Sequence, residues 1–571
     1  MRGKAWLAAL AAGMIVAAAV AGAAGAQDAA GAWRGTLQAG AATLRLAVHI
    51  RKGAGGGYQG TMDSLDQNAM GLPLASVGVA DGVLAFEVPS VHGRFSGEWT
   101  PARSAWVGSW SQGTPIPLTL VAGEAPPAPT VAGLDGNWDG VLAVGGASLR
   151  LALHVTSGSD GTHASLDSID QAINGLPVAA LTRDGAAVRF SVASVGGMFE
   201  GKLAADEATI TGTWTQAASP LPLAFHKRAA GAPQAALDRP QTPRPPYPYR
   251  VDTVAFDGGA TGVRLAGTLT LPAGAGPFPA VVLIAGSGPN DRDETILGHR
   301  PFWVLADYLS RRGIAVLRYD KRGVKASTGD YARATTLDFA ADAEAAAVWL
   351  RARPRIDPGK VGLIGHSEGG LIAPAVAARD PATAFVVLLA GPAVDGEKIL
   401  ELQGPLILRA EGTTEARVAA VAALNARVYA AVGSASDEAS AAARAKAVLA
   451  EGGPAVGLAP AAIDAQAKAA ASDWFRFFLT YDPVPALKRL RCPVLALSGS
   501  LDLQVPPAQN VPVLKAALAA DPDATVEVIG GLNHLFQPAR TGGVGEYAAI
   551  PTTISPDVLA TIGDWIARRV R

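Results

Sequence analysis

Val361-Gly-Leu-Ile-Gly365-His-Ser367-Glu-Gly369-Gly370 decides the fold of the C-terminal part of this chain. The apolar run Val361–Ile364 leads straight into Gly-x-Ser-x-Gly, and the helix-forming segment Leu371–Arg379 follows at once. A serine on a tight turn between a buried strand and a helix is a nucleophile elbow. Gly365 and Gly369 leave room where side chains would collide, and the new helix aims backbone N–H groups at a forming oxyanion. With 66 glycines in the chain the bare pattern is weak evidence. The strand before it and the helix after it make it strong.

A serine hydroxyl needs a base, and the base must come from elsewhere in the chain. Of eight histidines, His299, His366 and His534 lie in the region around the elbow. His299 precedes the serine, and the turn directs His366 away from its neighbour. His534 remains, in Gly530-Gly-Leu-Asn-His534-Leu after the last apolar run. The acid that orients such a histidine is expected just past a strand, in the order Ser…Asp…His. Asp502 fits, in Leu497-Ser-Gly-Ser-Leu-Asp502-Leu-Gln-Val-Pro, and is preferred over Asp473 and Asp482, which fall in a helical stretch. The second oxyanion donor is expected from the glycine-rich loop Ala285-Gly-Ser-Gly-Pro289. The backbone N–H groups of Ser287 and Glu368 form the expected pair, with Gly286 as fallback.

Working outward, the runs Ala280–Ala285, Ile314–Leu317, Val361–Ile364, Phe385–Leu389, Val494–Leu497 and Val526–Ile529 are apolar without alternation, and helical stretches separate them. Such runs are strands covered by helices on both faces, which predicts an α/β fold with a mostly parallel sheet. Between the fourth and fifth runs, residues 398–487 are Ala-rich and helical, a cap over the sheet's carboxyl edge.

Five stretches together resemble the α/β-hydrolase superfamily, close to exported bacterial hydrolases of the serine aminopeptidase (S33-like) and acyl-esterase kind. They are Gly286-Ser-Gly-Pro-Asn-Asp-Arg-Asp-Glu294, Leu317-Arg-Tyr-Asp-Lys-Arg-Gly323, Gly365–Gly370, Gly499-Ser-Leu-Asp-Leu-Gln-Val505 and Asn533-His-Leu-Phe-Gln537. Two departures stand out: Ala285 where many relatives carry histidine, and Val324-Lys-Ala-Ser327 where Val-Gly-x-Ser is usual. The resemblance implies hydrolysis of carboxylic esters through an acyl-enzyme, with release of amino acids from short peptides as the alternative, and needs no metal or cofactor. In the cap, Trp474, Phe477, Phe478 and Tyr481 share one helical face. Two readings of that face stay open: plain packing on the sheet, or the roof of an apolar acyl pocket in which Trp474 and Phe478 meet substrate.

The N-terminal part is a duplication. Gly31-Ala-Trp33-Arg-Gly35 and Leu44–Ile50 return as Gly136-Asn-Trp138-Asp-Gly140 and Leu149–Val155. Asp63-Ser-Leu-Asp66 returns as Asp167-Ser-Ile-Asp170, and Trp110 as Trp214, at a spacing of 104 or 105 residues throughout. Short alternating runs split by Gly and Asp predict antiparallel strands, hence a small barrel or sandwich in each copy, residues 27–122 and 130–226. The matched Trp residues read as core, with sugar stacking as the alternative. The Asp pairs read as turn residues, with calcium binding as the alternative. Pro-rich segments (Ala125–Pro129 and, within 227–249, Pro240–Pro248) read as semi-rigid linkers before a hydrolase region at 250–571.

The N-terminus predicts export. Arg2 and Lys4 precede a stretch without charge from Ala5 to Gln27, which ends in Ala24-Gly25-Ala26, a signal-peptidase pattern closing a signal peptide at residues 1–26. A periplasmic or secreted protein without stable membrane insertion follows. The single cysteine, Cys492, rules out an internal disulfide and reads as a structural thiol. A formal net charge of −1 without a basic face argues against nucleic acid. The expected partner is a small ester, with glycan or surface contact through the repeats as a further option.

Overall fold

The computed structural model describes residues 28–571 apart from positions 40–41, 54, 68, 92, 113–114, 125–128, 145–146, 160, 172, 217–218, 235–236 and 459. The expected signal peptide and most of the first Pro-rich segment lie outside the described residues.

The hydrolase region is built on one eight-stranded sheet. Within it the strands are β1 Arg250–Asp257, β2 Arg264–Leu271, β3 Phe278–Ile284, β4 Ala315–Tyr319, β5 Ile356–His366, β6 Val386–Leu389, β7 Val494–Gly499 and β8 Ala524–Ile529. Their spatial order is β1-β2-β4-β3-β5-β6-β7-β8, the strand order of the α/β-hydrolase fold. From β4 to β8 neighbours pair in parallel, while β1–β2 and β2–β4 are antiparallel.

The absence of alternation in the sequence has a direct cause. In β3, Val282 and Ile284 pack with Phe339, Ala343 and Ile372 on one face. Val281 and Leu283 pack with Phe302, Leu305, Ile562 and Trp565 on the other. The first face is covered by helices α1 Thr336–Arg351 and α2 Gly369–Ala377. Both faces of the strand lose their water, so both residue parities must be apolar.

Between β6 and β7, six helices among the described residues run from Gly396 to Lys488 and form the cap. Leu424, Val428, Leu449, Ile463 and Leu479 give it a core of its own. Helix α3, Asp473–Thr480, starts where the Ser472 hydroxyl accepts from Phe475 N, as an N-cap serine does. It is two-sided. Leu479 faces the cap core, whereas Phe478 joins Leu371, Ile399 and Val505 near the carboxyl edge of the sheet.

Each N-terminal copy is one nine-stranded antiparallel sheet rather than a sandwich. The first and last strands pair (Gly31–Ala39 with Pro115–Ala122, and Gly136–Val144 with Ser219–Lys227). The two open edges, Ala69–Pro73 and Ala75–Ala80 in the first copy, are separated by one residue, so the sheet curls into a barrel-like shape. Its interior is packed: Trp33, Trp106, Trp110, Phe86 and Phe95 fill the first copy, and Trp138, Trp214, Phe190, Phe199 and Phe225 the second. Gly93 and Gly197 are glycines because a Cβ there would collide with the Trp110 and Trp214 rings. The matched tryptophans are therefore core residues.

The Asp pairs are occupied as well. Asp66 grips the Arg45 N–H and guanidinium, and Asp170 does the same for Arg150. Asp63 and Asp167 accept from Gly71 N and Gly175 N. These carboxylates organise turns. No cluster among the described residues is suited to a metal ion, and no described helix is long and apolar enough to cross a membrane.

The described residues of 228–249 carry neither helix nor strand, but they do not span open space. Arg239 donates to the carbonyls of Leu297 (2.8 Å), Ala548 (2.8 Å) and Ile550 (3.2 Å). Gln241 accepts from Thr553 N (2.6 Å) and Ile554 N (3.0 Å) and donates to Ile554 O (2.8 Å). The segment read as a linker is docked on the hydrolase region.

Candidate active site

Ser367 sits where β5 turns into α2, with φ of +53°. A non-glycine residue in the left-handed region stores strain, and a turn this tight requires it. Its N–H is tied to Leu389 O at 2.9 Å. A Cβ at Gly365 would strike the Gly369 carbonyl, and one at Gly369 would strike Ile284 O, so neither position tolerates a side chain.

Asp502 and His534 follow β7 and β8 and meet. His534 Nδ1 lies 2.9 Å from Asp502 Oδ2, and both side chains are buried. Asp502 Oδ1 accepts from Gln504 N and Val505 N, each at 2.8 Å. The Asp502 contact fixes His534 with its proton on Nδ1, leaving Nε2 free to face the serine. The histidine loop is locked in turn. Asn533 Oδ1 accepts from Leu535 N and Gln537 N, and Asn533 Nδ2 donates to Gln537 Oε1 at 2.9 Å.

The other expected residues assemble beside Ser367. Glu368 is buried, and its carboxylate accepts from Thr336 Oγ1 (2.8 Å), Trp474 Nε1 (2.6 Å) and Lys321 Nζ (3.0 Å). Gly286 packs against Ser367, but its N–H is already given to Glu294 Oε1 at 2.6 Å. That removes Gly286 as a donor to substrate and leaves Ser287 with Glu368. Trp474 stacks on Phe478 at 5.2 Å between centroids, and Phe477 stacks on Tyr481 at 5.1 Å. The shared aromatic face thus splits into two stacks. Trp474 is anchored by a hydrogen bond, which apolar spacing alone does not suggest.

Three residues in this site lie outside the expected set. His366 points away from Ser367, with Nδ1 3.0 Å from Glu294 Oε1 and Nε2 3.1 Å from His534 O. Burial opposes its charged form, but the adjacent Glu294 carboxylate outweighs it and raises the pKa. His366 therefore links the oxyanion loop to the carbonyl of the catalytic histidine candidate. Lys321 was visible in sequence as a charged residue just past an apolar strand, whereas Glu294, far along the loop after β3, carried no such signal. Cys492 is partly buried, and burial pushes its thiol up to about 11, so it is no nucleophile.

Residues 258–533 match the X-Pro dipeptidyl-peptidase (S15) family. The chain is 42% identical over 139 residues to Esterase EstD of Thermotoga maritima, an alignment covering 24% of this chain and 33% of that protein. It is 32% identical over 126 residues to an uncharacterized protein of Mycobacterium tuberculosis, covering 22% of this chain and 41% of the relative. The chain thus spans about a third to two fifths of the length of these curated relatives. Among solved structures it is similar to the alpha/beta hydrolase GrgF from Penicillium sp. sh18, with 19% identity, a TM-score of 0.36, and coverage of 56% of this chain and 99% of that one.

Proposed function

We propose that this α/β-hydrolase chain is a serine esterase that cleaves small carboxylic esters through an acyl-enzyme on Ser367. The observation that carries the reading is the 2.9 Å contact of His534 with a triply engaged Asp502 at the same sheet edge as the strained Ser367. In this reading Ser367 Oγ attacks the ester carbonyl while its proton passes to His534 Nε2. The Ser287 and Glu368 N–H groups hold the oxyanion. Collapse breaks the C–O bond, and His534 returns the proton to the departing alkoxide. A water then repeats the sequence on the acyl-enzyme, with His534 again as base.

The S15 match keeps a peptidase reading in play, since that family's name describes X-Pro dipeptides. A free α-ammonium needs an uncommitted carboxylate near the serine. Glu368 has three donors, whereas Glu294 engages Gly286 N and His366 through Oε1 alone and its Oε2 is buried without a hydrogen-bond partner. The esterase name of the Thermotoga relative favours esters. A panel of p-nitrophenyl acetate and butyrate beside aminoacyl and X-Pro nitroanilides tests this. Higher kcat/KM on the esters is expected, and preference for the nitroanilides would replace the esterase reading with the peptidase one.

Export to the periplasm or medium rests on the charge-free stretch ending at Ala24-Gly25-Ala26. Glycan contact through the repeats would have to use groups other than the matched tryptophans, whose rings are buried.

A further inference from the structure

Lys321 lies in the charged stretch Asp320-Lys321-Arg322 that follows β4, a motif the esterase reading leaves without a role. Asp320 and Arg322 are consumed in ion pairs with Arg292 and Asp342. Lys321 does something different. Its ammonium donates to Gly286 O at 2.6 Å and to Glu368 Oε2 at 3.0 Å, and it stands 4.3 Å from the centroid of the Phe339 ring. The side chain is 5% exposed, a costly place for a cation. Apolar replacement of a buried ion pair is often neutral or stabilising, so packing alone gives no reason for a charge here.

Both contacts end on the oxyanion hole. The Gly286 carbonyl and the Ser287 N–H belong to one trans peptide, so they point in opposite directions. A cation fixed on the oxygen sets the direction of the N–H and polarises it toward stronger donation. Asn290 Nδ2 reinforces the same carbonyl at 2.8 Å. Through its second contact, Lys321 holds the side chain of the residue whose own N–H is the other donor.

We propose that Lys321 is a positioning residue of the oxyanion hole, aligning the Ser287 and Glu368 N–H groups without touching substrate. The inference rests on the esterase reading above. Lys321→Met alone would strand a buried carboxylate, so the test uses Lys321→Met together with Glu368→Gln. Turnover of p-nitrophenyl acetate is measured beside inhibition by a trifluoromethyl ketone, which adds to the serine and places an oxyanion in the hole. The matching secondary alcohol, which forms no oxyanion, serves as control.

Loss of one oxyanion donor lowers kcat by about 100- to 1000-fold. Misalignment is therefore expected to lower kcat by about 10- to 100-fold and weaken the ketone by the same factor, with KM and alcohol binding changed less than about threefold. Equal weakening of ketone and alcohol, or an unchanged kcat, overturns the proposal. Should the double variant not fold, Lys321→Arg carries the same readout, because a planar fork cannot reproduce the point contact with Gly286 O. If Ser367→Ala keeps its turnover, the esterase reading fails instead, which separates the two failures.

Discussion

Trp474 Nε1 donates to Glu368 Oε1 at 2.6 Å, so the last long helix of the cap is hydrogen-bonded to the residue that follows Ser367. The ring also stacks on Phe478 with planes 8° apart, and Phe478 packs on Leu371 of the elbow helix. This cap helix is fastened to the site by a polar contact through Trp474 and an apolar one through Phe478, and substitutions can separate them. Trp474→Phe retains the stack and removes the donor. Losing a hydrogen bond to a charged group costs about 1.5–3 kcal/mol. If the bond holds the Glu368 N–H in place, ester kcat/KM should fall roughly 10-fold in Trp474→Phe and further in Trp474→Ala. Fluorophosphonate should still label Ser367 in both. Unchanged kcat/KM in Trp474→Phe would reduce the contact to packing.

The Asp502 carboxylate offers the sharpest test of the acid–base assignment. Asparagine at this position would turn an NH2 group toward either His534 Nδ1 or the Gln504 and Val505 N–H groups. The first orientation takes the orienting acceptor from the histidine, and the second sets the NH2 against two backbone donors. Asp502→Asn is expected to lower kcat about 10⁴-fold with an unchanged fold, as in other triads. Ser367→Ala and His534→Ala should each remove turnover to a similar or greater degree, without additivity in the double variant. Stopped-flow and steady-state rates with a circular dichroism control measure this. Additive losses would show that the three residues do not act as a unit.

Ser367, Asp502 and His534 were legible because each follows an apolar strand and sits in a short, self-contained pattern. The α/β class was legible for the same reason: strands buried on both faces lose alternation. What the sequence leaves open is set by contacts between distant segments. Glu294 meets His366 across 72 residues, and Lys321 meets Glu368 across 47. Nothing local to Glu294 or Lys321 names the partner. Alternation in the repeats tells that one face of each sheet is buried, but barrel and sandwich bury the same residues, and only strand pairing separates them. Trp474 was read by its apolar ring, and its indole N–H proved as informative.

His299 gives the fold a pH dependence of definite sign. Burial, reinforced by the nearby Arg239 guanidinium, lowers its pKa from 6.5 to about 4. Its Nδ1 contacts Thr553 Oγ1 at 2.9 Å, and its Nε2 lies 3.0 Å from Gln537 Nε2, in the loop that carries His534. The unfolded chain takes up the proton near pH 6.5 while the folded one resists until about pH 4, so stability falls as pH drops through that window. His366 has the opposite sign, since its raised pKa favours the folded state below 6.5 and that benefit fades as pH rises. The difference between wild type and His299→Gln isolates the first effect. Denaturant midpoints measured from about pH 7 to pH 4.5 should fall more steeply for wild type. Parallel curves would mean that His299 is protonated in the folded protein.

The docked segment before β1 decides where the hydrolase region begins. A chain starting at Arg250 retains every strand of the large sheet and every candidate catalytic residue. It loses Arg239 and Gln241, which between them make six hydrogen bonds to Leu297 and to backbone between Ala548 and Ile554. That backbone is what His299 holds through Thr553 and Tyr547, and His299 in turn contacts Gln537, which locks Asn533 beside His534. Removing the segment takes the Gln241 acceptor from the Thr553 and Ile554 N–H groups and opens them to water, a net loss of about 0.5–1.5 kcal/mol each. It also loosens a chain of contacts that ends at the catalytic histidine candidate. A protein beginning at Arg228, without the barrels, is therefore expected to fold and keep ester turnover. One beginning at Arg250 should melt lower and lose at least about tenfold in kcat, and Gln241→Ala in the full chain should shift both quantities in the same direction. Equal Tm and kcat for the two truncations would show that residues 228–249 act as a tether alone.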